Sequence, residues 1–131
     1  MKKLILIVLT LLISSNAFAD KPATVSFENL KDGQKVNSPF KVKMLVHGMK
    51  VKPAGELVAG TGHHHLIING GPVPMGTVVK KDDTHIHFGA GQTETTLELP
   101  KGNHTLTLQF ADGAHRSYGP ELSKTISIEV N

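Results

Sequence analysis

In the segment GTGHHHLII, at residues 60–68, three consecutive histidines lead directly into an apolar run. Side chains alternate between the two faces of a β-strand, so His63 and His65 are expected on one face and His64 on the other. Two of the three apolar residues that follow are in phase with His64. The pattern therefore predicts a strand in which His64 points toward the core and His63 and His65 point outward.

A second histidine pair lies further along the chain in the segment THIHF, at residues 84–88. The same alternation places His85 and His87 on one face and Ile86 and Phe88 on the other. If this segment and the first are neighbours in one sheet, four imidazoles converge on one patch. We expect His85 and His87 to face solvent or a shallow cleft, and Ile86 and Phe88 to face the core.

Residues 1–19 are predicted to be a secretory signal peptide. Lys2 and Lys3 form a basic start, an apolar run follows, and an A-x-A cleavage pattern ends at Ala19. The apolar run is too short to span a membrane. The mature chain is therefore expected to begin at Asp20, to have no membrane span, and to be periplasmic or secreted.

The composition of the mature chain excludes several classes of protein. Removing residues 1–19 leaves 131 − 19 = 112 residues, enough for one domain. The formal charge of +3 includes Lys2 and Lys3, so the mature charge is 3 − 2 = +1 with neutral histidines. The scattered lysines provide neither a nucleic-acid footprint nor a polybasic membrane patch. The chain has no cysteine, which excludes disulfides, and all eight histidines lie in the mature part.

Short alternating segments run through the mature chain and predict about seven strands. They lie at 23–27, 40–46, 60–68, 85–88, 93–99, 104–110 and 125–130. The segments 93–99 and 104–110 flank a Pro-Lys-Gly-Asn turn and are expected to form a hairpin, whereas 29–39 and 50–61 are typical of loops. The expected fold is all-β: a single antiparallel β-sandwich, immunoglobulin-like, over residues 20–131.

The histidines are the main candidates for chemistry, because neutral imidazole is the commonest metal ligand and suits copper and zinc. The predicted ligands of a copper or zinc ion are the two pairs and two further histidines: His63, His65, His85, His87, His64 and His115. Two alternatives stay open. The histidines could form a polar face, bonded to Asp82, Asp83, Glu94 or one another, or a cluster that senses pH or binds anions.

The remaining histidines and the methionines are expected to be mainly structural. His104 is in phase with the apolar positions of its strand, so we expect it at the edge of the core with a hydrogen bond to backbone. His47 is expected at the surface and Met44 in the core. Met49 and Met75 lie in loops, where each either packs or provides a soft ligand for cuprous copper.

A catalytic site has little support in the sequence. Ser117 lies close to His115, but the chain has no G-x-S-x-G elbow, no H-E-x-x-H motif and no phosphate-binding loop. Glu94 and Asp83 offer carboxylates beside a metal, although no spacing selects them. No catalytic residue is predicted, and metal binding is favoured over catalysis.

Four blocks of the sequence resemble a known family. They are GTGHHHLII at 60–68, HIHFGAGQTE at 85–94, GNHTL at 102–106 and ADGAHRSYGP at 111–120. In their order and spacing they resemble the family of domains of unknown function numbered 4399, with the blocks lying within residues 60–121. The resemblance implies a small, usually exported bacterial protein and brings no established activity.

These observations favour a periplasmic histidine-rich protein that binds copper or zinc for transport, buffering or delivery. The expected partners are the metal ion and, in the envelope, another protein, but no nucleic acid. One alternative is a metal-dependent enzyme of dismutase-like or hydrolytic type, which an open coordination position would favour. Another is an envelope interaction module in which the histidines are structural.

Overall fold

The computed structural model describes residues 21–131, so the predicted signal peptide and its cleavage site lie outside the described residues. This part of the chain forms nine strands and one short 3-10 helix. The strands are β1 (Thr24–Phe27), β2 (Gln34–Val36), β3 (Phe40–His47), β4 (Lys50–Val51), β5 (Thr61–Ile68), β6 (His85–His87), β7 (Glu94–Leu97), β8 (Gly102–Ala111) and β9 (Ser123–Val130), and the 3-10 helix spans Pro120–Leu122. Within residues 21–131 no helix has the length and apolar character needed to cross a membrane.

The strands are arranged in two sheets. One sheet has the order β1-β3-β7, and the other has the order β2-β9-β8-β5-β4, with β6 also paired to β5. β5 has β8 along one side, while β4 and β6 share its other side, β4 beside its first residues and β6 beside its last. The prediction of an all-β fold with packed sheets is confirmed. The antiparallel description is incomplete, because β2 pairs with β9 and β4 pairs with β5 in parallel.

The core lies between the two sheets and takes one face of each. On β3, Phe40 and Val42 are buried and Lys41 between them is exposed. The alternate apolar positions of β5, β8 and β9 complete the same cluster. Phe88 is buried in it and Ile86 packs against it, as predicted from the alternation of the HIHF segment. Removal of this apolar surface from water is the main source of stability.

The outer face of the six-stranded sheet is also covered, by the connection between β5 and β6 at residues 69–84. The Val73 N–H donates to Gln109 Oε1 at 2.9 Å, and the Thr107 hydroxyl donates to the Gly70 carbonyl at 3.1 Å. Thr107 and Gln109 point away from the core, yet both are fully buried. The connection therefore encloses the face on which the outward histidines of β5 lie.

The predicted hairpin between residues 93–99 and 104–110 is wrong. β7 pairs with β3, and β8 pairs with β5 and β9, so the connection between β7 and β8 crosses from one sheet to the other. Both strands turn an apolar face to the core, Leu97 from one sheet and Leu106 from the other. Alternation specifies which face of a strand is buried, but it does not specify the neighbouring strand.

Two strands lie in segments that the sequence assigned to loops. β2 falls within residues 29–39 and β4 within residues 50–61. They are three and two residues long, too short to show alternation, and pairing with β9 and β5 holds them in the sheet. The described part of the chain therefore has nine strands where seven were predicted.

Candidate metal site

Two strands and one turn bring four histidines together. His63 and His65 lie on the outer face of β5, and His87 on β6 is paired directly with His65. β8 ends beside His63, because its last residue, Ala111, pairs with His63. The turn after β8 brings the ring of His115 next to the ring of His63. We call this group the four-histidine cluster: His63, His65, His87 and His115.

The imidazole nitrogens of the cluster are as close together as the ligands of one metal ion. One nitrogen of each ring lies within 4.8 Å of the corresponding nitrogens of the others. His63 Nε2 is 3.0 Å from His65 Nε2 and 3.2 Å from His115 Nδ1. In a tetrahedral site with metal–nitrogen bonds of about 2.0–2.1 Å, neighbouring ligand nitrogens are ~3.3 Å apart. Small movements of the rings would therefore bring all four onto one ion.

Hydrogen bonding among the rings cannot satisfy these nitrogens. His63 Nε2 faces two other ring nitrogens, but a neutral imidazole nitrogen has either one proton to donate or one lone pair. Within the described chain, His63 Nδ1, His65 Nδ1 and His87 Nε2 are buried without a hydrogen-bond partner. Each unsatisfied buried group costs about 1–3 kcal/mol. A metal ion would take a lone pair from each ring and so satisfy one nitrogen of each.

The environment of three rings of the cluster keeps them neutral. Burial, and then the neighbouring His87 and His115, lower the pKa of His63 to about 4. Burial, followed by His63 and His87, lowers the pKa of His65 to about 3. The pKa of His87 is also lowered, first by burial and then by His115 and Lys81. These three rings are therefore in the metal-binding form at neutral pH.

A hydrogen-bonded turn holds His115 in a backbone conformation that few residues adopt. His115 has a φ of 64°, in the left-handed region. Asp112 Oδ1 accepts hydrogen bonds from the N–H groups of Ala114 at 2.9 Å and Arg116 at 3.0 Å, and Arg116 Nε donates to Asp112 Oδ2 at 3.1 Å. Such a conformation persists only where the surroundings fix it, and it is common at functional sites.

Two of the predicted ligands lie outside the cluster. His64 points into the core, as predicted from the strand pattern, and its ring centroid is 5.1 Å from that of Phe110. His85 shares a face with His87, but its Nδ1 is 2.7 Å from Asp82 Oδ1. That hydrogen bond is the largest influence lowering the pKa of Asp82 to about 2.

The other two histidines have the structural positions that the sequence predicts. His104 Nε2 donates to the Pro100 carbonyl at 2.8 Å, and its Nδ1 is 3.1 Å from Asn69 Nδ2. His47 is exposed at the end of β3. Neither residue reaches the cluster, so His47 is a suitable control position for metal binding.

The remaining sequence candidates have separate surroundings. The Ser117 hydroxyl donates a hydrogen bond to the Val73 carbonyl at 2.8 Å and accepts one from the Gly119 N–H at 2.9 Å. Both hydrogen bonds of this hydroxyl are therefore structural. Met75 is 69% exposed and Met49 packs against the core. Glu94 lies on β7, in the other sheet. None of these residues belongs to the four-histidine cluster within residues 21–131.

Gly89 is a residue of the site that sequence reasoning missed. A Cβ atom at this position would lie 2.1 Å from His87 Cε1 and 2.6 Å from His87 Nε2, so the His87 ring rests where a larger residue would place its side chain. The only signal in the sequence is its spacing, two residues after His87 and therefore on the same face.

We expect Gly89→Ala to weaken metal binding at least about tenfold, because the new methyl group displaces the His87 ring. Gly71→Ala is the matched control, since a Cβ there meets nothing within 4 Å. Calorimetric titration with copper and zinc measures both variants. Equal affinity of the Gly89 variant and the parent would show that His87 needs no such clearance.

The metal-free protein should lose stability on acidification. In the unfolded chain a histidine takes up a proton near pH 6.5, whereas burial lowers the pKa of His63 and His64 to about 4 in the folded chain. Between these values the unfolded state binds more protons, so the free energy of unfolding decreases as pH falls from 6.5 toward 4. We expect the melting temperature in chelator at pH 4.5 to be at least ~5 °C below that at pH 7.

His64→Leu should reduce this dependence, because it removes one buried histidine while keeping an apolar side chain in the core. His47→Leu should leave it unchanged, because His47 is exposed. Identical melting temperatures of the parent at the two pH values would contradict the assignment of neutral buried rings.

The comparisons with known proteins support a family and a fold. The model of the family described as "Domain of unknown function (DUF4399)" matches residues 42–131. No curated protein matches the chain. Among solved structures, the chain is similar to the "endo-beta-1,4-mannanase from Thermotoga petrophila", with a TM-score of 0.55 and 16% identity. The match covers 88% of this chain and 21% of that chain, so this chain spans about a fifth of that protein. At this identity the likeness concerns the fold alone.

Proposed function

This chain belongs to the DUF4399 family, and we propose that it binds one copper or zinc ion through the four-histidine cluster. The proposed role is to transport, buffer or deliver the ion. The family is described as having no known function, so the support comes from the histidines themselves.

The observation that carries the proposal is the surroundings of His63 Nε2. This buried nitrogen lies 3.0 Å from one ring nitrogen and 3.2 Å from another, and hydrogen bonding satisfies at most one of these contacts. Ring nitrogens that converge to within 4.8 Å of one another, at spacings near those of a tetrahedral site, are the properties of a ligand set. In the polar-face alternative the histidines would bond to carboxylates, as His85 bonds to Asp82, or to one another, but bonds between the rings leave one contact of His63 Nε2 unsatisfied.

The donor set supports a borderline transition metal. Four imidazoles suit copper or zinc, whereas calcium and magnesium prefer oxygen ligands. The predicted signal peptide at residues 1–19 supports a periplasmic or secreted location, where an envelope protein would supply or receive the ion. Both the metal and the location are parts of the proposal.

A metal-dependent enzyme is the second candidate, and one observation favours it. A cleft lined by His65, His87 and His115 leads to the cluster, so that a substrate could approach the ion. Turnover of a small substrate by the loaded protein would favour this candidate over storage or delivery.

Metal analysis of untagged protein tests the proposal. Protein purified without chelator, offered copper or zinc and freed of excess ion should retain one equivalent per chain. The His63→Ala/His87→Ala double variant should retain none, while His47→Ala should behave as the parent. A parent protein that retains neither metal would overturn the proposal.

A further inference from the structure

The four rings of the cluster are not equally placed with respect to solvent. His63 and His65 are buried, whereas His87 and His115 are partly exposed. Three of the rings, those of His65, His87 and His115, line a cleft of about 440 Å³, and His63 does not. An ion held by all four would therefore be open to the cleft on the side of these three imidazoles.

The spacing of the rings leaves the widest gap on the cleft side. The centroids of His65 and His115 are 6.2 Å apart, whereas the other five pairs of centroids lie 4.6–5.1 Å apart. Both of the residues at this gap line the cleft. A ligand entering through the cleft would meet the ion on the side that these rings leave most open, and a four-coordinate zinc ion can expand to five ligands.

The cleft also has a positively charged border. Val78, Val79, Lys80 and Lys81 of the connection between β5 and β6 form its remaining wall, and both lysines are exposed. Lys81 lines the same cleft as His87, whose pKa is lowered first by burial, then by His115 and then by Lys81. A metal ion at the cluster would add to this positive potential.

The ligand set does not neutralise a divalent ion. Four neutral imidazoles leave a charge of two on the complex, and burying uncompensated charge is costly. The nearby carboxylates already have cationic or polar partners: Asp112 accepts from Arg116, and Asp82 is bonded to His85. The charge balance of the loaded site therefore favours a negatively charged ligand from outside the chain.

We propose that the metal ion in the four-histidine cluster takes a small anion as an additional ligand, admitted through the cleft and attracted by Lys80 and Lys81. This inference rests on the proposed metal binding. Besides the metal ion, the site would then bind a second class of ligand: small anions whose donor atom coordinates a transition metal. It also makes the loaded protein able to exchange a ligand without releasing the ion.

Azide is a suitable probe, because an anion bound to copper(II) or cobalt(II) produces a new absorption band. Protein loaded with one equivalent of either ion should develop a saturable band on titration with azide. The Lys80→Met/Lys81→Met variant should bind azide roughly tenfold more weakly, because two nearby positive charges are lost. The matched control Lys101→Met/Lys124→Met removes two exposed lysines elsewhere and should leave azide binding unchanged.

Metal affinity, measured separately by calorimetry, should not fall in either lysine variant, because loss of positive charge near the site can only favour binding of a cation. A loaded parent that shows no azide band would overturn the anion site while leaving metal binding intact. A band that is equally strong in both double variants would overturn the part assigned to Lys80 and Lys81. A parent protein that loads neither copper nor zinc would overturn the proposed function and this inference with it.

Discussion

Replacing His87 by alanine is expected to lower the affinity for copper or zinc at least about tenfold, or 1.4 kcal/mol, while replacing His85 leaves it nearly unchanged. The two residues lie on the same three-residue strand and on the same face of it. They differ in what their rings contact: His87 lies 4.9 Å from His63 and 4.6 Å from His115 between centroids, whereas His85 is bonded to Asp82. Comparing the metal affinities of the two variants therefore separates the loss of a metal ligand from any general effect of removing a histidine from β6.

Calorimetric titration of the parent, His87→Ala and His85→Ala measures the effect, with His47→Ala as an exposed control. His63→Ala should lose at least as much affinity as His87→Ala, because its Nε2 contacts two other rings. Equal losses in the His85 and His87 variants would contradict the four-histidine cluster and favour the ligand set that included His85.

A saturating metal ion is expected to raise the melting temperature by about 10 °C or more. An ion that binds only the folded state stabilises it by ~2.7 kcal/mol at a free concentration of one hundred times its dissociation constant. For a domain of this size each kcal/mol corresponds to ~4–8 °C.

Thermal unfolding with and without copper or zinc measures this shift. The His63→Ala/His87→Ala variant should show almost none, and chelator should reverse the shift in the parent. An equal shift in the double variant would indicate that the ion binds elsewhere on the chain, such as at His104 or His47.

The strand pattern of the histidine segments predicts much of the fold and three of the four histidines of the cluster. Alternation correctly places His64 with the core and His63 and His65 on the opposite face. It also places His87 and Ile86 on opposite faces of their strand. The two histidine pairs can converge only if their strands are neighbours, and β5 is paired with β6. Local periodicity is sufficient here because each strand has one clearly apolar face.

The rest depends on contacts between segments distant in sequence. His65 is almost fully buried although it faces outward, because residues 69–84 cover that face of the sheet. His115 reaches the cluster through a turn fixed by Asp112, which no strand period describes. His85 has the right phase but finds a nearer partner in Asp82. Periodicity gives the face of a side chain, whereas ring orientation depends on the nearest polar group.

Anomalous X-ray diffraction from crystals of the copper- or zinc-loaded protein tests the central claim most directly. We predict one strong peak per chain, surrounded by nitrogens of His63, His65, His87 and His115 at about 2.0–2.1 Å. A peak at another position, or loaded crystals without a peak between these four rings, would contradict the assignment of a metal site to the cluster.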